Sequence, residues 1–236
     1  MVRIGSKIMQ ANSFSKQTRH VIETDPFGFK WLVRKDSFFL GFYHDKIGPD
    51  VNHEIETFRL VMAVGSPEKV FVDVGAHVGH YAVRLSKQYG QVIAIEPDPY
   101  NFKGLSKNLE LNNVTNVRAL NIAASSKKGK SVLYSAGMGS RLDVVRLHKR
   151  VYIVHTDLLD NLVDHADVVK IDTEGHELEV LKGASRLITQ KPLFVIEDHT
   201  KTFGLTYWPE VLDLLSEFKP RLLESSPYHD IILFEP

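Results

Sequence analysis

From residue 70 onward, short apolar runs alternate with stretches of helical spacing. Val70-Phe71-Val72-Asp73-Val74 leads into Gly75-Ala76-His77-Val78-Gly79, and a helix-compatible segment follows. Repeated, this pattern predicts strands near 70–74, 91–96, 117–121, 168–172, 193–197, 220–224 and 230–235. It predicts helices near 79–89, 99–112, 157–164, 176–188 and 207–217. Asp98-Pro99 is a helix start, because Asp caps and Pro is tolerated in the first turn. Strands alternating with helices imply an α/β fold, a mostly parallel sheet with helices on both faces. The last two strands are separated by only about five residues, too few for a crossover, so they should pair antiparallel.

The first 50 residues follow another pattern. Ile22, Phe27, Phe29, Trp31, Val33, Phe38, Phe39, Phe42 and Tyr43 lie among turn residues such as Asp25-Pro26, Gly28 and Gly41. Residues 1–50 are therefore expected to be a β-rich, aromatic extension of packed hairpins, with the main domain over 51–236. Asn52 is expected to cap a helix over 53–64, where Ile55, Phe58, Leu60, Val61 and Met62 are apolar. Residues 131–156, with Gly137, Gly139 and the cations Arg141, Arg146, Lys149 and Arg150, break the alternation and are expected as an insertion beside the binding crevice.

The glycine turn narrows the chemistry. A strand, a tight turn and a helix let backbone approach a ligand closely. Seventeen residues past Gly79, Glu96 ends the second apolar run, where an acid accepts hydrogen bonds from ribose hydroxyls. The turn lacks one glycine of the Gly-x-Gly-x-x-Gly spacing that seats a pyrophosphate. Asp73 beside it suits an ammonium group rather than a phosphate. Together Asp73, Gly75, Ala76, His77, Gly79, Glu96 and Pro97 predict a site for S-adenosylmethionine, in preference to NAD. Asn121 and Ala123, after the third strand, are expected near the adenine ring.

Two further strand ends carry reactive side chains. Asp172 ends the strand near 168–172, followed by Glu174, Gly175 and His176. Glu197, Asp198 and His199 follow the strand near 193–197. An alcohol acceptor needs a base, and Asp172 is the first candidate, His199 the second, with Glu174 and His176 beside them. The alternative role of Glu174 is to favour the next helix electrostatically, with Glu177 on that helix's exposed face. Asp172, Glu174, Glu197 and His199 would also suit a hard divalent ion, but their spacing assigns no metal.

Several pieces together resemble the FkbM family of S-adenosylmethionine-dependent methyltransferases. They are Asp-Val-Gly-Ala-His-Val-Gly at 73–79, Ile-Glu-Pro-Asp-Pro at 95–99, Asn-Ile-Ala-Ala-Ser at 121–125, Lys-Ile-Asp-Thr-Glu-Gly-His-Glu at 170–177 and Glu-Asp-His at 197–199. The resemblance runs from about residue 70 to 200. It implies the Rossmann-like class I methyltransferase fold, a seven-stranded sheet with a reversed last strand. It also implies methylation of hydroxyl groups on small molecules or sugars.

Composition excludes other classes. Lys plus Arg and Asp plus Glu are equal at 29 each, so no global field draws the chain to nucleic acid or anionic membrane. An RNA methyltransferase gripping phosphate through Arg141–Arg150, Lys127 and Lys128, and a nucleoside-binding protein without catalysis, are the rivals. Cysteine is absent, which removes disulfides, thiolate metal sites and cysteine nucleophiles. No apolar run is long enough to span a bilayer and no secretory leader opens the chain, so a soluble cytoplasmic enzyme is expected.

Overall fold

A computed structural model describes residues 20–25, 27–34, 54–135, 141–142 and 150–236. Strands β1 (His20–Thr24) and β2 (Lys30–Arg34) form an antiparallel hairpin. Next come α1 (Ile55–Val64), β3 (Val70–Val74), α2 (His80–Leu85), β4 (Gln91–Ile95), α3 (Pro99–Leu111) and β5 (Val117–Leu120). Then follow β6 (Ala123–Ala124), β7 (Gly129–Ser135), β8 (Arg141–Leu142), β9 (Arg150–Asp157), α4 (Leu159–Leu162) and β10 (Val168–Ile171). The chain closes with α5 (Glu177–Lys182), α6 (Ser185–Thr189), β11 (Leu193–Asp198), α7 (Thr200–Phe203), α8 (Trp208–Leu214), β12 (Lys219–Ser225) and β13 (Asp230–Glu235).

The main sheet has seven strands in the order β12-β13-β11-β10-β3-β4-β5. Neighbours from β11 to β5 are parallel, and β13 runs antiparallel to both β11 and β12. This is the expected α/β architecture, reversed strand included. From β3 the chain winds outward through β4 and β5, then returns to build β10 and β11 on the other side of β3. Such a reversal leaves a crevice outside the carboxyl ends of the two strands where it occurs. Here those strands are β3 and β10.

Alternation along each strand divides the core. Val72, Val74, Val169, Ile171, Phe194 and Ile196 pack on one face. Phe71, Val92, Ala94, Val168 and Val195 pack on the other, with Phe29 and Trp31 of the hairpin and Val61 of α1. Both faces are buried, which is why these strands read as near-continuous apolar runs.

The helices depart from expectation at their ends. The segment expected as one helix over 176–188 is two, α5 and α6, broken at Gly183 and Ala184. A Cβ on Gly183 would lie 2.1 Å from the Ser125 carbonyl oxygen, so the chain passes too close to β6 for a side chain. Helices α2 and α4 are shorter than expected, the latter a single turn. The start of α3 is as expected: Asp98 accepts from the amides of Tyr100 and Asn101, and Pro99 occupies the first turn. Asn52 lies outside the described residues, and Glu54, in a left-handed conformation, precedes α1.

Within 131–156 the described residues are strands. β7 and β9 pair antiparallel, β8 adds to β7, and β6 pairs in parallel with β9 to make a second, four-stranded sheet.

The hairpin is tied to the core by one carboxylate. Asp25 accepts from the amides of Phe27 and Phe29, from Trp31 Nε1 at 3.0 Å and from Arg84 Nη2 at 2.9 Å. Both ends of the Arg84–Asp25 pair are buried. Asn108 of α3 and Asn112, just after it, accept from the Leu32 and Lys30 amides. Removing one partner of a buried pair strands the other charge. Asp25→Ala is therefore expected to lower stability by about 3–5 kcal/mol in urea unfolding. A loss below about 1 kcal/mol, the scale of a surface pair, would show that the hairpin is not integral to the fold.

Candidate active site

Two turns meet at the strand reversal. Gly75 follows β3 with φ +91°, and a Cβ there would sit 1.8 Å from the carbonyl oxygen of Asp172. The Asp172 amide in turn donates to the Val74 carbonyl at 2.9 Å. Only glycine permits this approach, and it puts the end of β10 directly beside the first turn. Gly79 closes that turn at φ +95°, where a Cβ would come within 2.7 Å of Leu105 Cδ1 on α3.

Four of the five amides of this turn, those of Gly75, Ala76, His77 and Gly79, are committed within the protein. Gly75 and Ala76 both donate to the Ile95 carbonyl, at 2.9 and 3.1 Å, and Gly79 donates to Ala76. His77, at φ 51°, donates its amide to Glu96 Oε2 at 2.8 Å. A pyrophosphate needs such amides free to receive it. The turn offers shape and carboxylates instead.

Glu96 ends β4 and is buried. Its Oε1 accepts from the Asp98 amide at 2.8 Å and from Asn101 Nδ2 at 3.5 Å. A carboxylate carries about four lone-pair sites, so with three donors in place Oε2 has room for one more. Burial pushes its carboxyl up to about 8, against these donors, which favour the charged form. Asp73 lies on the Phe71 face of β3, also buried, with Oδ2 lacking a partner among the described residues. Burial raises it to about 7, opposed by Lys170 in register on β10. A buried carboxylate oxygen without a donor beside a glycine turn fits the ammonium end of S-adenosylmethionine, as Glu96 on the neighbouring strand fits its ribose.

The second half of the site surrounds His199. This buried imidazole follows β11 and places Nδ1 3.0 Å from Glu177 Oε1. Its Nε2 lies 3.4 Å from Glu197 Oε1, 3.7 Å from Glu174 Oε2 and 3.8 Å from Asp172 Oδ1. Burial alone would depress its pKa; hydrogen bonds to Glu177 and Glu197 and the nearby Asp172 charge overcome that and raise it to about 12. With no cation beside it, His199 therefore keeps its proton near neutrality.

Lys170 supplies the other buried cation. Its Nζ stands 2.9 Å from Asp172 Oδ2, 3.8 Å from Glu54 Oε2 and 4.8 Å from the centre of the Tyr81 ring. Burial opposes the charge, but Asp172, Glu54, Glu197 and Asp73 together keep the ammonium protonated. Glu197 Oε2 is buried without a partner among the described residues, and its carboxyl is raised by burial and by the charges of Asp172 and Glu54.

The turn that carries Asp172 is held from beneath. Glu174 and Gly175 have consecutive positive φ values of 56° and 100°. Glu177 accepts from the amides of Thr173 and Gly175 at 3.2 and 2.9 Å and takes the Tyr207 hydroxyl as well. The alternative reading puts Glu177 on an exposed helix face; it is fully buried. Lys170, Glu54, Glu177 and Tyr207 were not anticipated. A lysine inside the buried run Val168-Val169-Lys170-Ile171 was the one available signal, since a buried ammonium requires carboxylates around it.

Other expected residues lie elsewhere. His176 Nε2 faces Ser125 Oγ at 3.0 Å rather than joining the carboxylates around His199. Ala123 packs with Leu133 and Val154 in the core of the small sheet. Asn121 Nδ2 donates to the carbonyls of Glu96 and Pro97, at 2.8 and 3.1 Å, so it braces the cofactor-side loop. Of the cationic stretch, Arg146 and Lys149 lie outside the described residues. Arg150 lies over the Tyr100 ring at 5.1 Å, and Lys128 pairs with Asp157 at 3.1 Å.

Residues 73–222 match the Methyltransferase FkbM domain. The chain belongs to the FkbM methyltransferase family. It is thus an S-adenosylmethionine-dependent methyltransferase of the class I fold. Among curated relatives it is similar to Hexuronic acid methyltransferase AglP of Haloferax volcanii, 29% identical over 175 residues, spanning 72% of this chain and 71% of that protein. It is also similar to Methyltransferase 1 of Beauveria bassiana, 25% identical over 172 residues, covering 60% and 66% of the two chains. Among solved structures, M. jannaschii TYW2 in complex with AdoMet is 14% identical with a TM-score of 0.55, covering 92% of this chain and 84% of that one, a likeness of fold. The family match begins at Asp73 and takes in Glu96, Asp172, Glu197 and His199; the hairpin, Glu54 and β13 lie outside it. No helix among the described residues is long and apolar enough to cross a membrane.

The raised acids of this FkbM domain give a signed pH dependence. Asp73 and Glu96 hold protons in the folded state up to about 7 and about 8, whereas their ordinary values are 3.8 and 4.5. Their contribution is full below those ordinary values and is lost as pH rises through the folded ones. The Tm of ligand-free protein should therefore fall between about pH 5 and 8, and Asp73→Asn should flatten the fall. An equally steep fall in the variant would mean that Asp73 is ionised throughout.

Proposed function

We propose that this chain methylates a hydroxyl group on a small molecule or sugar. One observation carries the reading: Asp172 directly follows β10 with its backbone against the turn expected to hold the methyl donor, and its carboxylate is set between Lys170 and His199. S-adenosylmethionine, when bound, supplies a methyl whose carbon–sulfur bond breaks, its electron pair going to sulfur, as the acceptor oxygen bonds the carbon. Asp73 takes the ammonium and Glu96 the ribose, fixing the donor along β3 and β4. Asp172 receives the hydroxyl proton, since an alcohol is a poor nucleophile until it loses it. Lys170 and His199 hold Asp172 from two sides, so its carboxylate is aimed before the acceptor arrives.

The charge of the crevice supports a hydroxylated small acceptor over RNA. Glu54, Asp172, Glu174 and Glu197 would repel a phosphate backbone. That one relative is named a hexuronic acid methyltransferase is in keeping with a sugar acceptor. Incubation with labelled S-adenosylmethionine and a cell extract, followed by identification of the product, tests the reading directly. A methylated sugar or other small hydroxylated compound is expected; label in RNA would overturn it.

Two substitutions separate the roles. Glu96→Ala should weaken binding of S-adenosylhomocysteine by about 1–3 kcal/mol through lost hydrogen bonds. Unchanged affinity by calorimetry would remove Glu96 from the cofactor site. Asp172→Asn should cut kcat by roughly 100-fold or more while cofactor affinity stays within about threefold. A comparable loss of both would mean that Asp172 serves the cofactor or the fold.

A further inference from the structure

Carboxylates outnumber cations at the carboxyl ends of β10 and β11. Among the described residues, Glu54, Asp172, Glu174, Glu177 and Glu197 gather around Lys170, His199 and, at 3.3 Å from Glu197, His229 Nδ1. Buried like charges at such distances repel strongly unless a cation joins them.

From this juxtaposition we propose that Asp172, Glu174 and His199 form a divalent-cation site, with Glu197 at its margin. Single ligand atoms of Asp172, Glu174 and His199 all lie within 4.8 Å of one another, as do those of Glu54, Asp172 and Glu197. The atoms concerned include Asp172 Oδ1, Glu174 Oε2 and His199 Nε2. Their separations from Nε2, 3.8 and 3.7 Å, are a little wider than those around a bound ion, which would draw them inward.

Two features beyond the acidic cluster point to a ligand. Glu197 directs one oxygen toward His199 Nε2 at 3.4 Å, while its other oxygen is buried and has no partner among the described residues. An ion or a water bound to it would satisfy that oxygen. His199 also has the support found behind metal-binding histidines: Nδ1 faces the fully buried Glu177, which fixes the ring and leaves Nε2 toward Asp172 and Glu174. Two carboxylates, one imidazole and remaining water suit a cation of the magnesium or manganese kind.

The inference rests on the proposed methylation and deepens it. A cation at this point would take the acceptor oxygen as a ligand and stabilise it as its proton leaves to a neighbouring carboxylate or to water. It would also offset the repulsion that this crevice presents to an acidic sugar.

Manganese titrated into the full chain, with free ion read by electron paramagnetic resonance, tests the site without reference to turnover. One ion per chain is expected, with affinity reduced roughly tenfold or more in both Glu174→Gln and Glu197→Gln. Glu174 is partly exposed, so its variant should fold, and S-adenosylhomocysteine affinity measured on the same samples reports that it has. No manganese bound at millimolar ion, or the same affinity in wild type and both variants, overturns the site. If S-adenosylhomocysteine also fails to bind the wild type, the methyltransferase reading falls; if it binds normally, only the cation site does.

Discussion

No side chain fits between Gly75 and the carbonyl of Asp172, and the rest of the site depends on that closeness. Strands β3 and β10 are hydrogen-bonded neighbours, so the turns that leave them must pass each other. With a Cβ at 75 the two turns would have to separate by more than an ångström, because the projected contact is 1.8 Å. Glycine lets the turn proposed to hold the cofactor and the acid-bearing turn share one wall. A methyl donor seated on the first is then already beside the groups that would act on the acceptor. Proximity of this kind is the larger part of what a methyl-transfer enzyme supplies, since the displacement itself needs alignment more than assistance.

Strand alternation determines which charges line that wall. Asp73, Lys170 and Glu197 share the face of the sheet occupied by Phe71, Val168 and Val195. Near the middle of the strands this face is apolar; at the carboxyl ends it becomes ionic. Buried ions survive there only as a network, and the network has a division of labour. Lys170 grips Asp172 through one oxygen, His199 faces the other, and Glu177 secures His199 while bracing the strained Glu174–Gly175 turn. Glu177 thus links the conformation of the turn to the orientation of the imidazole.

The fold was largely legible because its signal is repetitive. Seven strands and their order of appearance follow from apolar runs at regular spacing, and the reversed strand from a connection too short for a helix. What misled was local. Nothing in Glu177-Leu178-Glu179-Val180-Leu181-Lys182-Gly183 states that the helix must stop, because the obstacle is the Ser125 carbonyl, distant in sequence. The strands of 129–157 were hidden for a similar reason: β7 and β9 find their partners only across a long connection.

The site divides along the same line. Asp73, Gly75, Glu96 and Asp172 sit at strand ends, and topology alone carries them to the crevice. Ala123 and His176 also follow strands or turns, yet one is drawn into the small sheet's core and the other toward Ser125. Position at a strand end delivers a residue to the rim; the packing beneath decides which way its side chain turns. Glu177 shows the converse, since its place on a short helix suggested solvent while its charge is satisfied inside by His199, Tyr207 and two amides. A carboxylate one residue after a glycine turn's histidine is ambiguous until its donors are known. Charges in such a crevice are therefore legible as an inventory from sequence, and as a mechanism only once their partners are in place.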